Sequence, residues 1–116
     1  MRDLALQAAG ALAIMFAMMH GVIGEWQLFP KAIIETKRVR ALLRMVWQAS
    51  TIDWIAIGAL LIAAPALGSE NARRWIIGAA VIVYGYAAVG NAIASRGRHL
   101  GWVLMSLVVI FSLAGL

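Results

Sequence analysis

The chain has 116 residues, of which 64% are hydrophobic and only 13% are charged. Ordinary soluble domains are about 45–50% apolar and about 25% charged, so a soluble fold of this composition would lack polar side chains to cover its surface. A bilayer needs no such cover, and the composition therefore predicts an integral membrane protein. Each helical crossing of the hydrocarbon uses roughly 20 residues, so we expect residues 1–116 to form a single all-α transmembrane domain.

Cysteine content and charge exclude further classes. The chain has no cysteine, which excludes disulfide frameworks, iron–sulfur clusters and dithiol redox chemistry. The net charge is +5, but the basic residues lie in short connections between apolar runs. This distribution is typical of loops that face anionic lipid headgroups, and it does not predict nucleic-acid binding.

The first two apolar windows have the length of membrane spans. The first runs from Leu4 to Gly24, and no small-residue cleavage site follows it, which favours a span over a cleaved signal peptide. The second runs from Met45 to Gly68 and carries Gln48 and Asp53 in its first half. Near its end lies Pro65, which we expect to terminate or bend the helix.

The last two windows run from Trp75 to Ala94 and from Leu100 to Leu116. Gly68 suits a left-handed helix end and Ser69 suits an N-cap, so the second and third spans form a tight hairpin. The turn from Ser95 to Arg98 joins the third and fourth spans in the same way. The prediction is a transmembrane four-helix bundle with short loops.

One connection is longer, from Glu25 to Arg44, and it mixes apolar and basic side chains at near-helical spacing after Pro30. Two interpretations stay open: an amphipathic segment on the membrane surface, or an extension of the second helix. Either way, four cationic side chains are predicted to contact anionic headgroups, namely Lys31, Lys37, Arg38 and Arg40.

The basic residues are divided unevenly between the two sides of the predicted bundle. Three of the ten, Arg2, Arg73 and Arg74, lie on the side of the termini, and the other seven lie on the opposite side. Short loops rich in Lys and Arg stay in the cytoplasm. We therefore predict a multi-pass protein of the bacterial inner membrane with both termini in the periplasm.

Small and aromatic residues suggest how the spans pack. Small residues recur on the first span and the third, where they permit close helix contact and invite a homodimer; they are Ala9, Ala13, Ala17, Gly21, Gly78 and Gly85. Tryptophans near the ends of the spans are predicted to anchor at the interface; they are Trp26, Trp47, Trp75 and Trp102.

Polar side chains inside the spans are the candidate functional residues, since each is costly in hydrocarbon. They concentrate in the half of the bundle that we assign to the cytoplasm. The predicted ligand or ion pocket consists of Asp53, His20, Gln48, Thr51, Asn91, Trp54 and Tyr84. We expect transport or ligand binding in which Asp53 couples or selects; the alternative is an accessory subunit whose polar cluster only fixes helix packing. Glu25 is expected to pair at the interface with Arg44 or Lys31.

Two histidines raise a third possibility, a redox protein that binds haem or quinone through His20. Bis-histidine ligation with His99 is disfavoured because His99 lies in a turn outside the hydrocarbon. No metal site and no catalytic residue is predicted, since no serine or threonine has a base at identifiable spacing and two histidines do not make a metal triad.

Two short motifs carry a resemblance. His20-Gly-Val-Ile-Gly-Glu25 and Trp47-Gln48-Ala-Ser-Thr51 resemble a group of uncharacterised small bacterial inner-membrane proteins, which have His-x-x-x-Gly-Glu at the end of helix one and Trp-His-x-x-Thr opening helix two. The resemblance covers about the first half of the chain and implies no activity. Because this chain has Gln48 at the position of the group's second histidine, a two-histidine site is not implied here. Small multidrug transporters have a glutamate in the middle of helix one. This chain has no carboxylate in that region, which argues against membership of that family.

Overall fold

Four long helices form the protein in a computed structural model that describes residues 1–116. They are α1 (Arg2–Ile23), α2 (Lys37–Ala63), α3 (Glu70–Ser95) and α4 (Gly101–Ala114). Helix α1 continues through a π-helical segment, Gly24–Leu28, and a short α-helical turn, Phe29–Lys31, while α2 continues through a 3₁₀ turn, Ala64–Leu67. There is no strand, so the all-α prediction is confirmed.

Three helical stretches are long and apolar enough to cross a membrane: Arg2–Lys31, Lys37–Leu67 and Glu70–Ser95. The fourth helix, Gly101–Ala114, is apolar but has only 14 residues. At 1.5 Å per residue it measures about 21 Å, shorter than an average hydrocarbon layer. The helical bundle is thus compatible with a multi-pass membrane protein.

The helices pack as two antiparallel hairpins, α1–α2 and α3–α4, which meet mainly where α1 contacts α4. Contact between α2 and α3 is slight by comparison. We call the end with the α1–α2 and α3–α4 connections the loop end, and the end with both termini and the α2–α3 turn the terminal end. The bundle measures 50 × 26 × 19 Å.

Small residues bring α1 and α2 together. A Cβ on Gly10 would lie 2.4 Å from the carbonyl oxygen of Gly58, so only glycine allows this backbone approach. The predicted stripe on α1 is buried, as expected, at Ala9, Ala13, Ala17 and Gly21. Gly78 and Gly85 of α3 make no such contact within the chain, where a Cβ on either would have no neighbouring atom within 4 Å, so close contact of α3 with a second copy stays a prediction.

The α2–α3 turn follows the expected chemistry. Pro65 lies in the 3₁₀ turn that ends α2, because proline cannot supply the N–H that an α-helix requires. Gly68 is left-handed, with φ of 63°. The hydroxyl of Ser69 then accepts a hydrogen bond from the backbone N–H of Ala72 at 3.2 Å, which caps α3.

The long connection divides between the two helices that it joins. Its first part extends α1 to Lys31, and its second part, from Lys37, forms the first turns of α2. The helix-extension interpretation therefore holds from Lys37 onward, and no separate surface helix is present. The guanidinium of Arg40 donates to the carbonyl oxygens of Phe29 and Ala32, where α1 ends, and ties the two helices together.

An ion cluster closes the terminal end. Arg73 on α3 is buried and pairs with Asp3 near the start of α1, and it also donates to the carbonyl oxygen of Gly115 after α4 at 3.1 Å. Glu70 accepts a two-pronged hydrogen bond from Arg2, with contacts of 2.8 and 3.0 Å. These contacts join three helices, a role for Arg73 that the sequence does not indicate.

Candidate functional site

A pocket of about 570 Å³ lies at the loop end of the bundle. It is enclosed by the last turns of α1, the first half of α2, the end of α3 and the beginning of α4. None of its 15 lining residues is Asp, Glu, Lys or Arg, and 10 are hydrophobic. The volume falls in the range of small-molecule sites, about 300–1,000 Å³.

Aromatic rings form one wall of this pocket. His20 stacks on Trp47 with ring centroids 3.9 Å apart and planes inclined by 9°. Trp54 contacts the same imidazole at 4.6 Å and also lies 5.6 Å from the ring of Tyr84. The hydroxyl of buried Tyr84 donates to the carbonyl oxygen of Trp54 at 3.0 Å, which fixes this wall against α3.

Hydrogen bonds set the orientation and the protonated nitrogen of His20. The Ser50 hydroxyl donates to the carbonyl oxygen of Trp47 at 2.7 Å, so its proton is used. The contact of 3.1 Å between Ser50 Oγ and His20 Nε2 therefore requires the imidazole to donate. Neutral His20 then has a free acceptor at Nδ1. The indole N–H of Trp47 donates to the carbonyl oxygen of His20 at 2.9 Å and completes the connection.

Opposite the aromatic wall, two polar side chains of α3 line the pocket. Asn91 Oδ1 and Ser95 Oγ are buried atoms without a hydrogen-bond partner. Buried polar atoms without a partner cost about 1–3 kcal/mol each, so native proteins seldom leave them so. The Asn91 amide packs on Gly101, where a Cβ would lie 3.1 Å from Nδ2. Both residues line the pocket, while these two oxygen atoms are themselves covered by protein atoms.

A second polar group stands beside the pocket, where α1 becomes π-helical. Glu25 pairs with Arg44, one of the two expected cations, and accepts from Gln48 Nε2 at 2.8 Å. Gly24 is required here because a Cβ would lie 2.2 Å from the indole nitrogen of Trp47. The wider π turn lets α1 pass over this indole, and such turns occur often at functional sites.

The structure brings together some of the predicted site residues. His20, Trp54 and Asn91 line the pocket. Tyr84 supports its aromatic wall, and Gln48 and buried Thr51 lie beside it, with Thr51 donating to the Trp47 carbonyl oxygen at 3.3 Å. Asp53 is not brought to the pocket: its side chain is exposed on the outer face of α2. Asp53 lies only two positions after Thr51, which turns their side chains to different faces of the helix.

Sequence reasoning misses several pocket residues. Interfacial anchoring is the expected role of Trp47, yet its ring stacks on His20. The partner of His20 is Ser50, which the sequence does not single out from the other polar residues of α2. The motif Trp47-Gln-Ala-Ser-Thr is the sequence signal that could have indicated Ser50, because it places a serine three residues after the tryptophan. His99 also lines the pocket, with Nδ1 accepting the N–H of Gly101 at 3.1 Å.

The fold and site define a helical bundle with an uncharged, aromatic-walled pocket at one end. No group of three or more His, Cys, Asp or Glu side chains is placed to hold a metal ion. No protein-family model, curated protein or solved structure matches the chain.

Proposed function

We propose that the chain is a membrane protein that binds a small, uncharged amphiphilic molecule in the loop-end pocket. The observation that carries this proposal is the pocket of about 570 Å³ itself, whose lining is mostly hydrophobic and aromatic and holds no Asp, Glu, Lys or Arg. A mostly apolar lining with a few polar side chains, here His20, Asn91 and His99, is typical of small-molecule sites.

The order of lining residues along the bundle gives the ligand its orientation. The polar end of the pocket holds Ser95 and His99, close to the loops, whereas Phe16, Leu104 and Met105 line it further toward the centre. A molecule with a hydrogen-bonding head at the loop end and an apolar body directed inward matches this gradient. The arrangement supports ligand binding more than ion-coupled transport, because Asp53 lies outside the pocket.

Native mass spectrometry of protein released in mild detergent tests this function, with Asn91→Leu as the informative variant. We expect a reproducible small-molecule adduct on the wild-type protein. Asn91→Leu replaces a polar side chain of the lining by an apolar one and removes a buried unpartnered atom, so we expect the adduct to be lost while thermal stability is kept or raised. Gln7→Leu, the same chemical change on the exposed face of α1, is the control and should retain the adduct. An unchanged adduct on Asn91→Leu would contradict the proposal.

A second candidate function is association with another chain, as an assembled or accessory subunit. The observation in its favour is Asp53, a carboxylate exposed on α2 in the middle of an apolar stretch and flanked one turn away by exposed Ala49 and Ala56. A lipid-facing carboxylate is costly, and the small neighbours allow a second helix to approach. We propose that this face contacts a second copy of the chain.

Cysteine cross-linking tests the homodimer directly, since the chain has no native cysteine. Ala56→Cys should form a disulfide-linked dimer in membranes under mild oxidation. Ile93→Cys, on the exposed face of α3, is the control and should stay monomeric. Equal cross-linking at both positions would reflect random collision and would reject the α2 interface.

The membrane orientation is also our proposal: the bacterial inner membrane, with the loop end in the cytoplasm. Its support is the positive charge at that end, where Lys31, Lys37 and Arg38 are exposed and free to meet anionic headgroups. Arg40 is already engaged with backbone carbonyl oxygens, so its contribution to lipid contact is smaller.

A further inference from the structure

We propose that a second cavity, the cleft between the end of α1 and the start of α2, binds a phosphate group of the kind that an anionic phospholipid carries. The cleft shares no lining residue with the loop-end pocket, so it is a separate site. This inference rests on the proposed contact of the loop end with anionic headgroups, and it gives that contact one specific position.

The cleft has a volume of about 330 Å³ and an excess of positive charge. Three of its seven lining residues are cationic, namely Lys37, Arg40 and Arg44, and Glu25 is its one carboxylate. The volume lies within the range of small-molecule sites, about 300–1,000 Å³. An anionic group is favoured in such a lining, whereas a cation would meet a net charge of the same sign.

The three cations share one face of α2. Their spacing of three and then four residues places Lys37, Arg40 and Arg44 side by side on the helix, whereas Arg38 does not line the cleft. This face is turned toward the end of α1, because Arg40 donates to the carbonyl oxygens there. Like charges at this spacing repel one another, so a bound anion would relieve a cost that the fold carries without it.

Hydrogen-bond donors in the cleft remain free for a ligand. Arg44 uses Nε and Nη2 on Glu25, which leaves both hydrogens of Nη1. Lys37 is exposed, and its ammonium takes part in no ion pair within the chain. The Glu25 carboxylate is already occupied by Arg44 and by Gln48 Nε2, at 2.8 Å. Lys37 and Arg44 therefore supply cationic donors, and a phosphate has oxygens to accept from both.

The position of the cleft favours a lipid as the source of the phosphate. Buried Phe29 and Pro30 also line it, where the apolar helix α1 gives way to the basic connection. Under the proposed membrane orientation, this is the depth at which the headgroups of the cytoplasmic leaflet lie. A phospholipid could then place its phosphate among the cations and its glycerol against the apolar side of the cleft.

Native mass spectrometry with defined lipids tests the site, with Lys37→Gln and Lys31→Gln as a matched pair. Both substitutions remove one exposed positive charge from the loop end, but only Lys37 lines the cleft. We expect the wild-type protein to bind phosphatidylglycerol about fivefold more tightly than phosphatidylcholine, whose choline adds a positive charge. Lys37→Gln should lose most of this preference, and Lys31→Gln should keep it within about twofold.

Inorganic phosphate distinguishes a lipid from a soluble source. The unfolding temperature of lipid-free protein is measured in detergent with phosphate and with chloride at equal ionic strength. We expect no difference, because a free phosphate lacks the glycerol contact. A rise with phosphate that Lys37→Gln abolishes would support the phosphate site and assign it to a soluble ligand.

The matched pair also separates the site from general attraction to the membrane. Equal loss of lipid preference in Lys37→Gln and Lys31→Gln would overturn the specific site and leave the proposed headgroup contact standing. No preference for phosphatidylglycerol in the wild-type protein, together with no effect of phosphate, would reject both. The ligand of the loop-end pocket is tested independently, by the adduct on Asn91→Leu.

Discussion

Asn91 and Asp53 are both polar side chains in apolar helices, yet the structure gives them opposite environments. Asn91 lines the pocket with an unpartnered amide oxygen, and Asp53 lies exposed on the outer face of α2. The sequence predicts one pocket for both because the position of a residue in the chain gives its depth along the helix. Which face meets the neighbouring helix depends on packing that one sequence does not encode locally.

Asp53→Asn tests this difference in placement. The substitution removes the charge at a position outside the pocket, so we expect adduct retention to stay within about twofold of wild type. Native mass spectrometry of the variant and the wild-type protein in the same detergent provides the comparison. A loss of adduct as large as that expected for Asn91→Leu would return Asp53 to the site and revive the transport hypothesis.

Single residues show how much of the site the sequence contains. His20, Trp54 and Asn91 are identifiable because an ionisable, aromatic or amide side chain in an apolar window is unusual. Trp47 and Ser50 are not identifiable in this way, because each has an ordinary explanation. Trp47 is explained as an interfacial anchor, and Ser50 as a helix residue whose hydroxyl bonds to the backbone of its own helix. Only their contact with His20, 27 and 30 residues earlier, shows their role.

At the scale of elements, α1 is organised by its close approach to α2 near Gly10 and Gly58. A Cβ on Gly10 would lie 2.4 Å from a backbone oxygen, which cannot rotate away. Gly10→Ala should therefore force the helices apart and destabilise the fold by about 1–3 kcal/mol, measured as thermal stability in one detergent.

Gly78→Ala is the matched control on α3. A methyl group on this glycine would have no neighbouring atom within 4 Å, so alanine should be neutral or stabilising by up to about 1 kcal/mol through its better helix propensity. Equal destabilisation by both substitutions would mean that α3 meets a partner at Gly78, for example in the dimer.

Helix ends are the part of each element that the sequence predicts least well. Apolar windows report where hydrocarbon contact ends, but backbone hydrogen bonding continues through Lys31 in α1 and begins at Lys37 in α2. The π turn has no hydrophobic signature, because it depends on Trp47 of another helix lying across Gly24. The turn with local chemistry, at Gly68 and Ser69, agrees with its prediction.

At the scale of the molecule, the two ends of the bundle differ. Ionic contacts close the terminal end, whereas the loop end contains the pocket. Arg73→Met should remove the contacts of α3 with both Asp3 and the Gly115 carbonyl oxygen. We expect a loss of about 1.5–3 kcal/mol in stability, since hydrogen bonds to charged groups are in this range. Arg74→Met, at the exposed neighbouring position, should have little effect. Thermal unfolding of both variants in the same detergent provides the comparison.

The slight contact between α2 and α3 has a consequence for ligand entry under the proposed function. Tyr84 provides the one side-chain hydrogen bond between these helices, and the other helix pairs are packed more extensively or lie further apart. Under the proposed membrane orientation we expect this seam to face the acyl chains, so that a ligand of the proposed site enters sideways from the lipid without passing through water. Its occupancy then follows the mole fraction dissolved in the membrane, and a weak intrinsic affinity suffices for a molecule that partitions strongly into lipid.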